Sequence, residues 1–238
     1  MQSPRRRNDT CTLVIMAKAP RPGAVKTRLA RNLPVLEVTD LYRCLLVDTI
    51  ALAKSLDGVE LAIMCPEADA QDLIRATGHS ISVVPQNGNG LTAGLTSVFA
   101  HFASAGAGRI VAFNSDTPHL PLSFLERAFR LLASCDVVIG PTHDGGYYLV
   151  GAKAPHPGLF VTDAMGTTNA YEALLARVRG LNLSFSLIDS FYDIDELSDL
   201  DQLADELLRS PGKAPRTADW LLARPRRIKH AKQNGGAT

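Results

Sequence analysis

The chain has 238 residues, of which 46% are hydrophobic and 21% charged, and a formal net charge of +1. These proportions belong to a globular domain and exclude a fibrous or low-complexity chain. No apolar run approaches the roughly 18 residues of a membrane-crossing helix, and four scattered cysteines (Cys11, Cys44, Cys65, Cys135) form no C-x-x-C pair, which argues for reduced thiols in a cytoplasmic protein.

Residues 1–10 are polar and are expected to be disordered. A run rich in β-branched residues, C-T-L-V-I-M-A from Cys11, predicts a buried parallel strand. It empties into K-A-P-R-P-G-A-V-K-T-R-L, a loop with four cations, Lys18, Arg21, Lys26 and Arg28. A Gly-containing basic loop at the carboxyl end of a strand is where α/β proteins hold phosphates, although neither G-x-x-x-x-G-K-[ST] nor G-x-G-x-x-G is present. A solvated basic connection is the structural alternative.

A helix is predicted over about 39–56, with Leu41, Leu45, Val47, Leu52 and Leu56 on its apolar side. Then come a strand over 59–64, a short helix over 68–77, a strand over 81–84, a loop at 85–90 and a helix over 91–103. A fourth strand, 109–113, ends in N-S-D-T-P-H-L-P, and Pro121 opens a helix to about residue 132. A fifth strand over 136–139 leads to the turn T-H-D-G-G and a hairpin-like return over 147–150. The chain closes with a helix over 168–178, a strand over 184–188, a helix over 197–208 and a helical turn near Trp220. Strands alternating with helices predict an α/β domain with a mostly parallel sheet and at least one antiparallel strand. One domain over 11–223 is the simplest reading. The tail 224–238 holds Arg224, Arg226, Arg227, Lys229 and Lys232 and no acid, so the rest of the chain is mildly acidic and the tail is expected to be a disordered, solubilising end.

Asp116 follows a strand whose end should lie at the carboxyl edge of the sheet, where a carboxylate can hold Mg²⁺ against phosphate oxygens. Capping the next helix is its structural alternative. Asp193 and Asp195 alternate in an extended segment and so can face one cleft, or can serve the first turn of the following helix. Asp144-Gly145-Gly146-Tyr147 can line a pocket or simply form a tight turn. His119 and His143 lack metal-ligand spacing. No nucleophile motif supports covalent hydrolysis, and basic residues outside the tail form no aromatic-interleaved stripe for nucleic acid.

Four segments in order, K-A-P-R-P-G-A-V-K-T-R-L, N-S-D-T-P-H-L-P, G-P-T-H-D-G-G-Y-Y-L-V-G and Y-D-I-D-E-L-S-D-L, resemble the DUF2064 group of GT-A-fold, glycosyltransferase-like proteins. That group is similar to 2-phospho-L-lactate guanylyltransferase and, more distantly, to molybdenum cofactor guanylyltransferase. The resemblance implies a single-domain GT-A (nucleotide-diphospho-sugar transferase) fold with helices on both faces of the sheet. It implies nucleotide binding by Lys18, Gly23, Lys26, Arg28, Gln86 and Gly88, and catalytic roles for Lys26 and Asp116. It places Mg²⁺ (or Mn²⁺) on Asp116 and Asp195, with Asp193 as the alternative, and the acceptor against Asp144, Gly145, Gly146 and Tyr147. The chain departs from the group at Asn89-Gly90-Leu91-Thr92-Ala93-Gly94, where related sequences carry charged residues, and at Gly166-Thr167-Thr168, where they carry Trp-Ser-Thr. The implied activity is nucleotidyl transfer from a nucleoside triphosphate to a small phosphorylated acceptor with release of pyrophosphate. Glycosyl transfer from a nucleotide-sugar and nucleotide binding without turnover are the two alternatives. The sequence sets no oligomeric state.

Overall fold

A computed structural model describes residues 10–160 and 169–224. The expected disorder of residues 1–10 and 224–238 falls almost wholly outside these limits, as does Gly166-Thr167-Thr168. The first strand, β1 (Cys11–Met16), has its four central residues fully buried, because it lies inside the sheet with helices on both faces. Helix α1 (Val35–Lys54) leads to β2 (Val59–Cys65), α2 (Ala70–Thr77) to β3 (Ser82–Pro85), and α3 (Gly90–Ser104) to β4 (Arg109–Asn114). These four strands are mutually parallel in the order β3-β2-β1-β4, with Leu13 level with both Leu61 and Val111.

After α4 (Leu122–Leu131) the order departs from simple succession. Strand β5 (Val137–Pro141) is laid down one place out, and β6 (Tyr147–Ala152) returns antiparallel into the gap between β4 and β5. The predicted hairpin return is present, but its insertion inside the sheet is set by packing. A Cβ on Gly140 would lie 2.5 Å from the Tyr148 ring, so only glycine lets β6 bring this buried tyrosine across β5. Helix α5 (Ala170–Gly180) precedes β7 (Phe185–Leu187), which extends the edge parallel to β5.

Alternate residues of the strands feed two cores. Leu13, Ile15, Ile63 and Phe113 meet α1, α2 and α4 through Leu46, Leu73 and Leu125. Val14, Ala62 and Ala112 meet α3 and α5 through Val98, Phe99 and Leu174. A third cluster packs α6 (Leu197–Arg209) and α7 (Pro215–Leu222) over the outer side of α1, through Leu41, Leu45, Leu203 and Ala218. Here the expected stripe on α1 needs correction. Val47 is 49% exposed, whereas Asp48 is buried. Asp48 accepts hydrogen bonds from the Thr217 amide and hydroxyl, both at 2.7 Å, and so holds the first turn of α7. A buried carboxylate is retained at a helical position when it is fully bonded in this way.

The parallel direction of β1 to β4, β5 and β7 puts their carboxyl ends at one edge of the sheet, together with the start of β6. The loops at that edge, with Tyr147 at the start of β6, carry every candidate functional residue. Among the described residues no helix is long and apolar enough to cross a membrane. Among the described residues no disulfide is formed.

Candidate active site

The basic loop after β1 is fixed at two points. Arg21 points away from the strand end and binds Asp69 and Asp72 at 2.5 Å each, while the Asp69 carboxylate also accepts the Ala19 amide. Arg21 therefore anchors the loop to the start of α2. At the other end, Leu29 is fully buried against α1. Between these anchors Lys26 adopts a left-handed backbone, φ +47°, a conformation that costs a residue with a Cβ about 1–2 kcal/mol. The turn sends its side chain inward, where it is only 4% exposed.

The Lys26 ammonium lies 2.5 Å from Asp116 Oδ2 and 2.9 Å from Asp195 Oδ1. Asp116, Asp193 and Asp195 each offer a carboxylate oxygen within 4.8 Å of the others. Asp116 does not cap α4: the helix begins after Pro121 without a side-chain cap. Asp195 does not cap α6 either, because Glu196 and Asp199 form a capping box there and Asp199 also takes the Asp195 amide at 2.9 Å. Both carboxylates are thereby left to face the cleft, and Arg28 reaches Asp195 at 3.2 Å.

The electrostatics follow from burial and crowding. Burial pushes the Asp193 carboxyl up to about 7, with the neighbouring Asp116 charge adding to the effect. Burial also acts on Asp195, but Lys26 and Arg28 more than offset it and hold this carboxyl below its usual range. For Lys26, burial opposes the charge, and the three carboxylates outweigh that cost and raise its affinity for the proton.

Two cavities meet at this centre. One, of about 530 Å³, is lined by Lys18, Lys26, Tyr42, Met64 and Gln86. The other, of about 220 Å³, is lined by Arg28, Asp144, Gly146, Tyr147 and Asp193. Met16, Leu91, Asp116 and Asp195 line both. Among the nominated residues Gly23, Gly88 and Gly145 have different surroundings. Gly23 and Gly145 occupy turns at φ +77° and +89°, and Gly145 accepts the Tyr171 amide through its carbonyl. The Gly88 carbonyl is held by the Gln86 carboxamide at 2.9 Å, so Gln86 shapes its own loop while facing the larger cavity. Asp144 steadies its turn by accepting from Thr142 Oγ1 at 2.5 Å and the Gly146 amide at 3.2 Å.

Sequence reasoning did not find Tyr42. Its buried hydroxyl accepts the Lys18 amide at 3.1 Å and is 2.9 Å from Ser115 Oγ. It thus ties the end of β1 to the residue before Asp116. A tyrosine on an otherwise apolar helical stripe signals that its hydroxyl needs a partner, but it does not say which one.

His119 lies beneath the segment that carries the acidic pair, with ring centroids 4.9 Å from Phe191 and 4.6 Å from Tyr192. Neither of its nitrogens has a hydrogen-bond partner among the described residues. Burial pulls its pKa down to about 4; Glu206 opposes the shift weakly and Lys213 adds to it. The unfolded chain binds this proton near pH 6.5 and the folded chain only near 4, so stability is lost as pH falls through that window and is level below it. The shift corresponds to about 3 kcal/mol. Urea unfolding at pH 7.5 and pH 4.5 should show a smaller loss on acidification for His119→Leu than for the wild type. Equal losses would remove His119 from the acid response.

The chain shares its fold with solved structures of the nucleotide-diphospho-sugar transferase and nucleotidyl transferase classes. A protein from Desulfovibrio desulfuricans G20, assigned as a nucleotide-diphospho-sugar transferase, has a TM-score of 0.83 and 25% identity over 90% of this chain and 95% of that one. A nucleotidyl transferase from Methanothermobacter has a TM-score of 0.57 and 18% identity over 84% of this chain and 99% of its own. The 4-diphosphocytidyl-2C-methyl-D-erythritol synthase of Anaerococcus prevotii has a TM-score of 0.54 and 11% identity over 85% and 97%. No curated protein matches the chain. Residues 49–167 match the model of a family described as an uncharacterized protein conserved in bacteria, DUF2064, and the chain belongs to that family.

Proposed function

We propose that the chain is a metal-dependent nucleotidyltransferase, which moves a nucleoside monophosphate from a nucleoside triphosphate to a small phosphorylated acceptor. The observation that carries this reading is the meeting of two cavities at one centre of three carboxylates and a buried lysine. Such a centre suits transfer between two substrates, with the nucleotide on the Lys18–Gln86 side and the acceptor on the Asp144–Tyr147 side.

The donor set fits a hard divalent cation. Asp116 Oδ1 is buried without a hydrogen-bond partner among the described residues, and carboxylate oxygens are the ligands such ions prefer. Asp116, Asp193 and Asp195 would hold Mg²⁺ or Mn²⁺, which when bound supplies charge neutralisation and polarisation of phosphate oxygens. The remaining work falls to the chain's own groups. Lys26 offsets charge on the triphosphate, Lys18 borders the same cavity, and Arg28 faces the acceptor side. An acceptor phosphate oxygen, already ionised at neutral pH, bonds to the α-phosphorus. The bond from that phosphorus to the bridging oxygen breaks, and pyrophosphate departs with the electron pair. No proton has to be removed, so no general base is required.

The likeness to the Desulfovibrio protein favours one further reading, glycosyl transfer from a nucleotide-sugar, on the same fold. The product separates the two. Incubation with nucleoside triphosphates, Mg²⁺ and a panel of phosphorylated acceptors should release pyrophosphate. Release of a nucleoside diphosphate from nucleotide-sugars, with no pyrophosphate from any triphosphate, would overturn the nucleotidyl reading in favour of the glycosyl one.

A further inference from the structure

Lys26 holds two of the three carboxylates that a cation at this centre would need. Its ammonium contacts Asp116 Oδ2 at 2.5 Å and Asp195 Oδ1 at 2.9 Å, and these carboxylates belong to the triad whose ligand atoms lie within 4.8 Å of one another. A monovalent and a divalent cation packed against the same carboxylates repel strongly at such separations. A free metal ion drawn to the unpartnered Asp116 Oδ1 would enter against the Lys26 charge and weaken its hold on these carboxylates. The Lys26 side chain is 4% exposed and its loop is fixed on both sides, by Arg21 on Asp69 and Asp72 and by buried Leu29. A buried ammonium stripped of its partners is strongly unfavourable. Phosphate oxygens entering the Lys18–Gln86 cavity, which Lys26 also lines, would give the ammonium a new partner as it yields the carboxylates.

We infer that Lys26 is an internal counter-ion of the triad, which opposes binding of free divalent metal and gives way only when the metal arrives with a polyphosphate. The inference rests on the metal reading proposed above and adds an order to it: metal and nucleotide bind with positive coupling, and either one alone binds less well. Coupling of this kind is reciprocal. The left-handed backbone at Lys26 (φ +47°) fits the role, since local strain persists where a side chain must be aimed for function.

The test uses Mn²⁺ alone, without nucleotide, as the probe, titrated calorimetrically and by the loss of its free-ion magnetic resonance signal. Lys26→Met, which keeps the length and removes the charge, should bind Mn²⁺ about tenfold or more tightly than the wild type. Lys26→Arg, which keeps a positive charge in the cleft, should bind Mn²⁺ less tightly than Lys26→Met. If Lys26→Met does not fold, Lys26→Gln takes its place with the same expectation. Equal Mn²⁺ affinity in wild type and Lys26→Met, abolished in Asp116→Asn, would overturn the counter-ion role and leave the metal site standing. Absence of Mn²⁺ binding in every form, even with a nucleoside triphosphate present, would overturn the metal site and the inference with it.

Discussion

Asp116→Ala is expected to lower pyrophosphate release by about 10³-fold or more, because the substitution removes two things at once. Asp116 sits at the carboxyl end of β4 and lines both cavities. One of its oxygens binds Lys26 at 2.5 Å, and the other is buried with no hydrogen-bond partner among the described residues. Alanine therefore removes a ligand from the triad and also the shortest contact that aims the lysine. Asp116→Asn keeps the shape and removes the charge, so it separates the two effects. A loss as large as that of alanine assigns the role to the charge. Activity that survives Asp116→Ala with little loss would count against a metal role for this residue.

Lys26→Met should slow transfer by about 10²- to 10³-fold, the usual loss when one preorganised charge at a developing negative centre is removed. The loss should appear mainly in kcat, since charge on the leaving pyrophosphate grows in the transition state. Lys26→Arg should restore little of it. A guanidinium is planar and larger than an ammonium, and the space about Lys26 is closed by Asp116 and Asp195 at 2.5 and 2.9 Å. Combined with the expected tighter binding of free Mn²⁺, Lys26→Met would be a slower enzyme that holds its metal better, an outcome that a purely structural role for Lys26 does not give. A change of less than tenfold in kcat would remove Lys26 from the transfer step.

Most of the fold was legible in the sequence because its inner strands are short, apolar and buried on both faces. Parallel strands with helical crossovers put their carboxyl ends at one edge, so a basic loop after β1, an acid after β4 and an acidic pair after β7 had to converge there. Local spacing did not resolve whether Asp116 and Asp195 faced the cleft or capped helices, since both uses suit the same residue. The structure separates them through neighbours: Glu196 and Asp199 cap α6, and α4 begins after Pro121 without a side-chain cap.

Three features lay beyond the sequence. Arg21 looked like one more phosphate cation, and only the position of α2 shows it spent on Asp69 and Asp72. Val47 fitted the apolar stripe of α1, yet the position that needs burial is Asp48, because α7 arrives from far along the chain to be held by it. The insertion of β6 between β4 and β5 depends on a tyrosine ring crossing Gly140. Such a contact becomes visible only once both strands are in place.

A nucleoside triphosphate and a divalent metal are expected to bind together at the Asp116 centre. The most direct test is the melting temperature of wild type and Asp116→Ala against a panel of nucleoside triphosphates and nucleotide-sugars, with and without Mg²⁺. A ligand at about 100 times its dissociation constant adds roughly 2.7 kcal/mol to the folded state, which is readily seen as a rise in melting temperature. A rise is expected in the wild type that needs both Mg²⁺ and one of the triphosphates, and that is absent from Asp116→Ala. No rise with any triphosphate, or an equal rise in Asp116→Ala or without Mg²⁺, would contradict it.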